Sequence, residues 1–367
     1  MLQRVIERPD HQRNFYLDAL RGVAVLIVVF SHASNEHHDI VPGLHLQGVG
    51  KMGVWLFFVL SAFLLTRRLV EEFDAGKAPV GTILVRYGIH RLCRIFPLYL
   101  LVVFGHALWL GRGGEGMWYF FWRNALLLEG HREFWVIPVE VKYYAVMPLF
   151  CLLHVFLWRR RFVPALAVLG GIALGCSWHW ALDAGNKNTL LLWPYFAIFA
   201  VGSLLAVMPP KLFRFWGSRG MTAGALILLL VPLFCILGHS TTVTMPRLYV
   251  WSPLLAVLWS SVLAFGLTHG RNLPMPVLSG LAAGTLRGVG RISFSIYLLH
   301  YPILKTLLAH PVLPGGLQGI ASLVLVLFAA YFSWRFVEEP CILFGKQWGE
   351  RVGHKGIYAS FNRSAAE

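Results

Sequence analysis

Charge is what this sequence has least of. Asp, Glu, Lys and Arg make up 13% of it, against about 25% in an ordinary soluble domain. Cysteine is also sparse. Cys93, Cys151, Cys176, Cys235 and Cys341 are odd in number and scattered, so they form neither a disulfide framework nor a C-x-x-C metal site. The chain has no clear internal repeat and no low-complexity segment. The N-terminal stretch lacks an A-x-A-like cleavage site and is followed by further apolar runs, so it does not read as a cleavable signal peptide.

Apolar length is what the chain does have. Hydrophobic residues are 57% of the total, and runs near twenty residues, enough to span a hydrocarbon core, recur from end to end. Ten candidate spans fall at 16–34, 52–69, 92–110, 137–157, 162–182, 189–207, 221–238, 248–268, 291–309 and 315–336. The expectation is an all-α, polytopic membrane protein of about ten transmembrane helices. Residues 1–345 form its membrane domain and 346–367 a short cytoplasmic tail.

The net charge of +15 raises the question of nucleic acid, and its distribution answers it. With the N-terminus inside, the inner loops and their flanks hold 23 Lys and Arg, and the outer loops six. That is the positive-inside bias of a multispan protein, with both termini cytoplasmic. No nucleic-acid partner is needed to explain it.

Four polar clusters interrupt the apolar background. In "LDALRGVAVLIVVFSHAS", Arg21 and His32 are eleven residues apart. Eleven steps of 100° end about 20° past three full turns, so both lie on one helix face, separated along the axis by ~16.5 Å. An arginine in hydrocarbon costs on the order of 2.5–3.5 kcal/mol. Snorkelling of Arg21 and an interhelical hydrogen bond to His32 would each account for one residue. A shared face suggests instead one polar path lined by both. In "RYGIHRLCRIFPLYLL", Arg91 and Arg94 share a face at i, i+3; they fit a phosphate or simple positive-inside anchoring. In "FWVIPVEVKYYAVMPLF", Glu140 stands at the expected depth of His32, where it can orient or charge-stabilise an imidazole or pair internally with Lys142 or Arg132. In "RISFSIYLLHYPIL", His300 sits among Ser293, Ser295 and Tyr297, a set that interhelical hydrogen bonding also explains. His37, His38 and His45 read as outer-loop surface.

These segments, in order, resemble the acyltransferase-3 family of integral membrane proteins. "LDALRGVAVLIVVFSH" is similar to its opening helix, with Arg21 and His32 in place. "GVWLFFVLSAFLLTRRL" is similar to its second helix. "RLCRIFPLYL" resembles its R-x-x-R motif at Arg91 and Arg94, and "FWVIPVEVKYYAVMPL" its W-x-x-x-V-E segment at Trp135 and Glu140. "SFSIYLLHYPIL" and "FVEEP" resemble its last two signatures. Three positions depart from the commonest pattern: Trp55 where an acid is frequent, Ala62 where glycine is usual, and Val141 where a second glutamate often follows the first.

The resemblance implies transfer of an acyl group, acetyl or succinyl first, from cytoplasmic acyl-CoA to a hydroxyl of an envelope or secreted glycan or a lipid-linked saccharide, in a bacterial cytoplasmic (inner) membrane. Arg21, Arg91 and Arg94 are then the acyl-CoA-binding residues. His32 and Glu140 are catalytic, and Ser61, Trp135, Tyr297 and His300 are supporting. His32 acts as a general base on the acceptor hydroxyl or is itself acylated. No metal and no resident cofactor is implied. The partners are the donor, the glycan acceptor and membrane lipid. A proton-coupled transporter or flippase uses the same residue types, but no repeated halves are visible here. A non-catalytic scaffold would leave the charged constellation unexplained.

Overall fold

The computed structural model describes residues 10–36, 39–40, 46–109, 115–182, 189–227, 251–269, 281–309, 312–313 and 315–364. His37, His38, His45, Cys235 and most of the expected span 221–238 lie outside them. The described residues are almost entirely helical and contain no strand.

Thirteen helices organise the site: α1 (Asp10–Asn35), α2 (Gly50–Ala75), α3 (Val80–Trp109), α4 (Glu115–Ala125), α5 (Val136–Leu152), α6 (Phe162–Leu182), α7 (Phe196–Ala206), α8 (Pro210–Ser218), α9 (Ser252–His269), α10 (Leu281–Arg291), α11 (Ser293–Ala309), α12 (Gly315–Ser333) and α13 (Glu339–Ser364). Each expected span falls on one of them, apart from 221–238.

Among the described residues, six helical runs are long and apolar enough to cross a membrane: Tyr16–Asn35, Gly50–Ala75, Val80–Trp109, Arg132–Leu157, Ser252–His269 and Leu317–Val352. A seventh results if α7 with its leading turn and α8, bent 118° from each other, are taken as one. In α6 the apolar stretch is shorter, Phe162–Trp178. The run Leu317–Val352 stays helical through a π turn at Trp334–Glu338. The helix continues through residue 346, where the tail was expected to begin.

The second helix, α2, lies at the centre, packed by α1, α5, α7 and α9. Its sequence suits that position. Trp55, Leu56, Phe58, Val59, Ala62 and Phe63 are all fully buried. Two of the three departures from the family pattern, Trp55 and Ala62, are therefore core residues, and Val141 packs against the same core. Lipid offers no hydrophobic drive between helices, so close backbone approach and interhelical hydrogen bonds hold them together. Both devices are present. A Cβ on Gly202 of α7 would stand 2.5 Å from the Val59 carbonyl oxygen and 2.9 Å from the Ala62 Cβ. Nearby, Thr66 Oγ1 bonds Ser203 Oγ at 2.6 Å, and Tyr143 Oη bonds the same Ser203 Oγ at 2.5 Å. These bonds join α2, α5 and α7. The helix α2 ends at Gly76, whose φ of 57° is the left-handed turn that glycine supplies at a helix C-terminus.

Candidate active site

A cavity of about 810 Å³ runs between α1, α2, α3, α5, α11 and α13. Its two ends differ in chemistry. One holds Arg21, Arg68, Arg91, Arg94 and Lys346 with Asp18 and Glu71. The other is closed by Val54, Phe57, Phe58, Val136 and Ile137, with Tyr297 beside them. At the basic end Arg68, Glu71 and Lys346 are exposed; at the apolar end all but Phe57 are buried.

Helical spacing places the basic residues. Arg21 reaches back one turn to Asp18 Oδ1 at 3.4 Å, and Asp18 Oδ2 also lies 4.0 Å from Arg291. Arg94 faces Glu338 Oε1 at 3.8 Å. Glu338 ends the π turn between α12 and α13, is 1% exposed, and accepts a hydrogen bond from Ser295 Oγ at 2.8 Å. The Nε of Arg91 is buried without a hydrogen-bond partner. Four guanidinium groups and one ammonium thus meet four carboxylates around the mouth, Asp18, Glu71, Glu338 and Glu72, the last paired with Arg68 at 3.0 Å, and the positive charge that remains suits an anion.

Glu140 stands midway along the wall. Its Oε1 accepts hydrogen bonds from Ser61 Oγ, at 2.9 Å, and from Tyr144 Oη. The expected pairing of Glu140 with His32 does not appear among the described residues. A hydroxyl one turn along α5 and another across on α2 satisfy the carboxylate first. Its other expected partners are also engaged elsewhere. Lys142 Nζ donates to the Leu190 carbonyl at 2.6 Å, and Arg132 donates to Tyr301 Oη. Trp135 is buried behind the wall, its ring 5.0 Å from Tyr195 and 6.3 Å from Phe58.

His32 meets His300 instead. Nδ1 of His32 and Nε2 of His300 are 2.7 Å apart, and Nδ1 of His300 lies 2.7 Å from the Tyr297 carbonyl oxygen. The rings of Tyr301 and His32 are nearly perpendicular with centroids 5.5 Å apart, and the Arg132 guanidinium lies over the Tyr301 ring, 5.0 Å from its centroid. Beyond them Lys305 pairs with Glu36 at 2.7 Å. His32 does not line the cavity, contrary to the single polar path expected along α1. It lies past the apolar end, because from Arg21 onward α1 turns Ala24, Val25, Val28 and Val29 into the core. Tyr297 links the two regions. It lines the cavity, and its ring is 5.7 Å from that of His300.

Sequence reasoning overlooked Asp18, Arg68, Tyr144, Tyr301, Glu338 and Lys346 as parts of this arrangement. Two of them carried a signal: Asp18 is three residues from Arg21 and Tyr144 four from Glu140, the spacings of neighbours on a helix face.

The family model described as an acyltransferase domain matches residues 14–335. The chain belongs to the acyltransferase-3 family. With six helical runs able to cross a bilayer, this acyltransferase-family chain is a multi-pass membrane protein. It is 24% identical over 361 residues to the peptidoglycan O-acetyltransferase OatA of Listeria monocytogenes, matching 88% of this chain and 55% of that one. It is 24% identical over 380 residues to BcsY of Komagataeibacter xylinus, named as a candidate membrane-bound transacylase, matching 95% and 86%. A candidate peptidoglycan O-acetyltransferase of Bacillus subtilis, YrhL, is 21% identical and matched over 88% and 54%. The chain therefore spans about half the length of two of these relatives and most of the third. No solved structure matches at comparable significance. The acyltransferase-3 model covers Arg21, His32, Arg91, Arg94, Glu140 and His300 and stops short of Glu338 and Lys346.

Proposed function

We propose that the protein is a membrane O-acyltransferase. It takes an acetyl or succinyl group from acyl-CoA held at the basic end of the cavity and passes it to a hydroxyl of an envelope glycan or lipid-linked saccharide arriving from the other end. The observation that carries this reading is the polarity of the cavity: cations at an open mouth, an apolar neck, and Tyr297 joining that neck to a histidine pair. The relatives' names, which include peptidoglycan O-acetyltransferases, support a glycan acceptor.

The basic end faces the cytoplasm in this reading, following the positive-inside bias. Six long apolar runs and the shorter α6, α7 and α11 stand for nine of the ten expected spans, the tenth, 221–238, lying mostly outside the described residues, and both termini are placed on that side. Arg21, Arg91 and Arg94, joined by Arg68 and Lys346, hold the phosphates of the donor. Its thin pantetheine arm lies along the cavity, with Ser61 and Tyr144 keeping Glu140 in the wall. The axial separation of Arg21 and His32, ~16.5 Å by helix rise, is of the order of that arm's reach, and the thioester meets His32 only when the side chains that close the apolar end move aside for it.

His32 then takes the proton of the acceptor hydroxyl as its oxygen attacks the thioester carbonyl. The new C–O bond forms, the C–S bond breaks, and the departing thiolate takes the proton from the imidazolium. The products are the O-acyl acceptor and free CoA. No resident cofactor enters these steps.

The test is CoA release by the purified protein in nanodiscs, given acetyl-CoA and then succinyl-CoA with an envelope glycan extract. Release that depends on the acceptor and is lost in His32→Ala supports the reading. If donor and acceptor are shown to be competent with a related enzyme, but release is absent or indifferent to His32→Ala, the acyltransferase reading fails and a carrier takes its place.

A further inference from the structure

We infer that His300 is a positioning residue that fixes the tautomer of His32, making Nε2 of His32 the nitrogen that exchanges protons in the reaction. This rests on the acyl-transfer reading for its catalytic meaning, but not for its geometry.

Two backbone carbonyls set the order of donors and acceptors. Nδ1 of His300 faces two carbonyl oxygens, Tyr297 at 2.7 Å and Ile296 at 3.2 Å. Carbonyl oxygens only accept, so this nitrogen carries a hydrogen. A neutral imidazole has one N–H and one bare nitrogen, which leaves Nε2 of His300 bare. That bare nitrogen stands 2.7 Å from Nδ1 of His32, and two lone pairs do not meet at that distance. Nδ1 of His32 is therefore the donor, and its Nε2 is left unprotonated.

The ring geometry supports the same assignment. The two planes differ by 2° and their centroids are 4.9 Å apart. Parallel planes whose nearest atoms are 2.7 Å apart are too close to be stacked face to face, since van der Waals contact needs about 3.5 Å. The rings lie edge to edge in nearly one plane, where an imidazole lone pair points. The alternative order would require a cationic His300 donating to His32. His300 is 0% exposed, and its hydrogen-bond partners are two carbonyls and a second imidazole, with no carboxylate among them. A buried cation in such a setting carries an uncompensated desolvation cost.

In a histidine-base enzyme the wrong tautomer costs kcat about 10,000-fold while the active-site geometry persists. Here the orienting group is a second imidazole instead of a carboxylate, so the relay holds no negative charge. It runs from backbone carbonyl to His300, to His32, and to the acceptor hydroxyl.

The experiment reads the tautomer directly. Protein labelled with 15N-histidine is placed in nanodiscs, and the His32 signals are assigned by difference from His32→Asn. The expected spectrum has a protonated Nδ1 and a bare Nε2 on His32. In His300→Gln the amide oxygen still accepts from Nδ1, so the tautomer is kept and kcat falls less than about tenfold. In His300→Ala the tautomers mix and kcat falls about 100-fold or more, with donor KM unchanged. A wild-type His32 protonated on Nε2 overturns the proposal. So does a His300→Ala enzyme, folded by size-exclusion and thermal-melt criteria, whose kcat is unchanged. Should the wild type release no CoA with any donor, the acyl-transfer reading falls, and the spectrum still decides the tautomer.

Discussion

Ser61 Oγ lies 2.9 Å from Glu140 Oε1, a hydrogen bond that crosses the cavity wall from α2 to α5. Tyr144 donates to the same oxygen, so one carboxylate atom gathers two hydroxyls. Glu140→Ala leaves both without their acceptor, at a cost of about 1–3 kcal/mol for the buried Tyr144 hydroxyl and less for the half-buried Ser61. Glu140→Gln keeps an acceptor in place. Thermal unfolding in one detergent is expected to rank the proteins wild type, then Gln, then Ala. Equal melting points for the last two would show that the carboxylate does not hold the wall.

In the acyl-transfer reading, donor binding belongs to the basic end of the cavity and chemistry to the histidine pair beyond it. Arg91→Ala with Arg94→Ala is expected to raise the acyl-CoA KM at least tenfold and change kcat little. His32→Ala is expected to lower kcat by 100-fold or more at nearly constant donor KM. Because Arg94 also faces the buried Glu338, the double variant is best compared with one that adds Glu338→Gln. A kcat loss that disappears in that background is structural, and a KM effect that persists belongs to the donor site.

Lys346 supplies the mouth from α13, past the end of the family match. Lys346→Ala is expected to weaken acyl-CoA binding several-fold at low ionic strength, and by less as salt rises, since exposed charges are screened within about 10 Å at 0.1 M. Titration of CoA binding at two salt concentrations checks this. An effect that does not depend on salt would assign Lys346 a packing role instead.

The approach of α7 to α2 rests on the missing side chain at Gly202. Gly202→Ala brings a methyl group to 2.5 Å from the Val59 carbonyl oxygen, so the helices must part. A loss of about 1–3 kcal/mol is expected, visible as a lower melting point. Ser203→Ala in the adjoining hydrogen-bond network is expected to cost less, about 0.6–1.7 kcal/mol.

Periodicity made part of this site readable. The common face of Arg21 and His32, the i, i+3 pair Arg91 and Arg94, and the apolar lengths of most spans follow from residues on the same helix. Contacts between helices did not follow. His32 and His300 are 268 residues apart in sequence, and only the packing of α11 on α1 brings them together. Equal depth suggested that Glu140 would face His32, but depth says nothing about the rotation of α5, which turns that carboxylate to Ser61. The reading of Arg21 and His32 as one lined path failed for a related reason. The residues between them, Val25 and Val28 among them, are core. Charge distribution marked the basic end, whereas the contribution of Lys346 depended on a helix that carries on where a tail was expected.

The apolar stopper of Val54, Phe57, Phe58, Val136 and Ile137 has an electrical consequence. A water-filled route from the cationic mouth to the histidine pair would short-circuit the membrane that the protein sits in, draining the ion gradients of the cell. With that end closed by hydrocarbon side chains whenever no ligand parts them, a cavity lined with cations at one end does not become a conduit for ions.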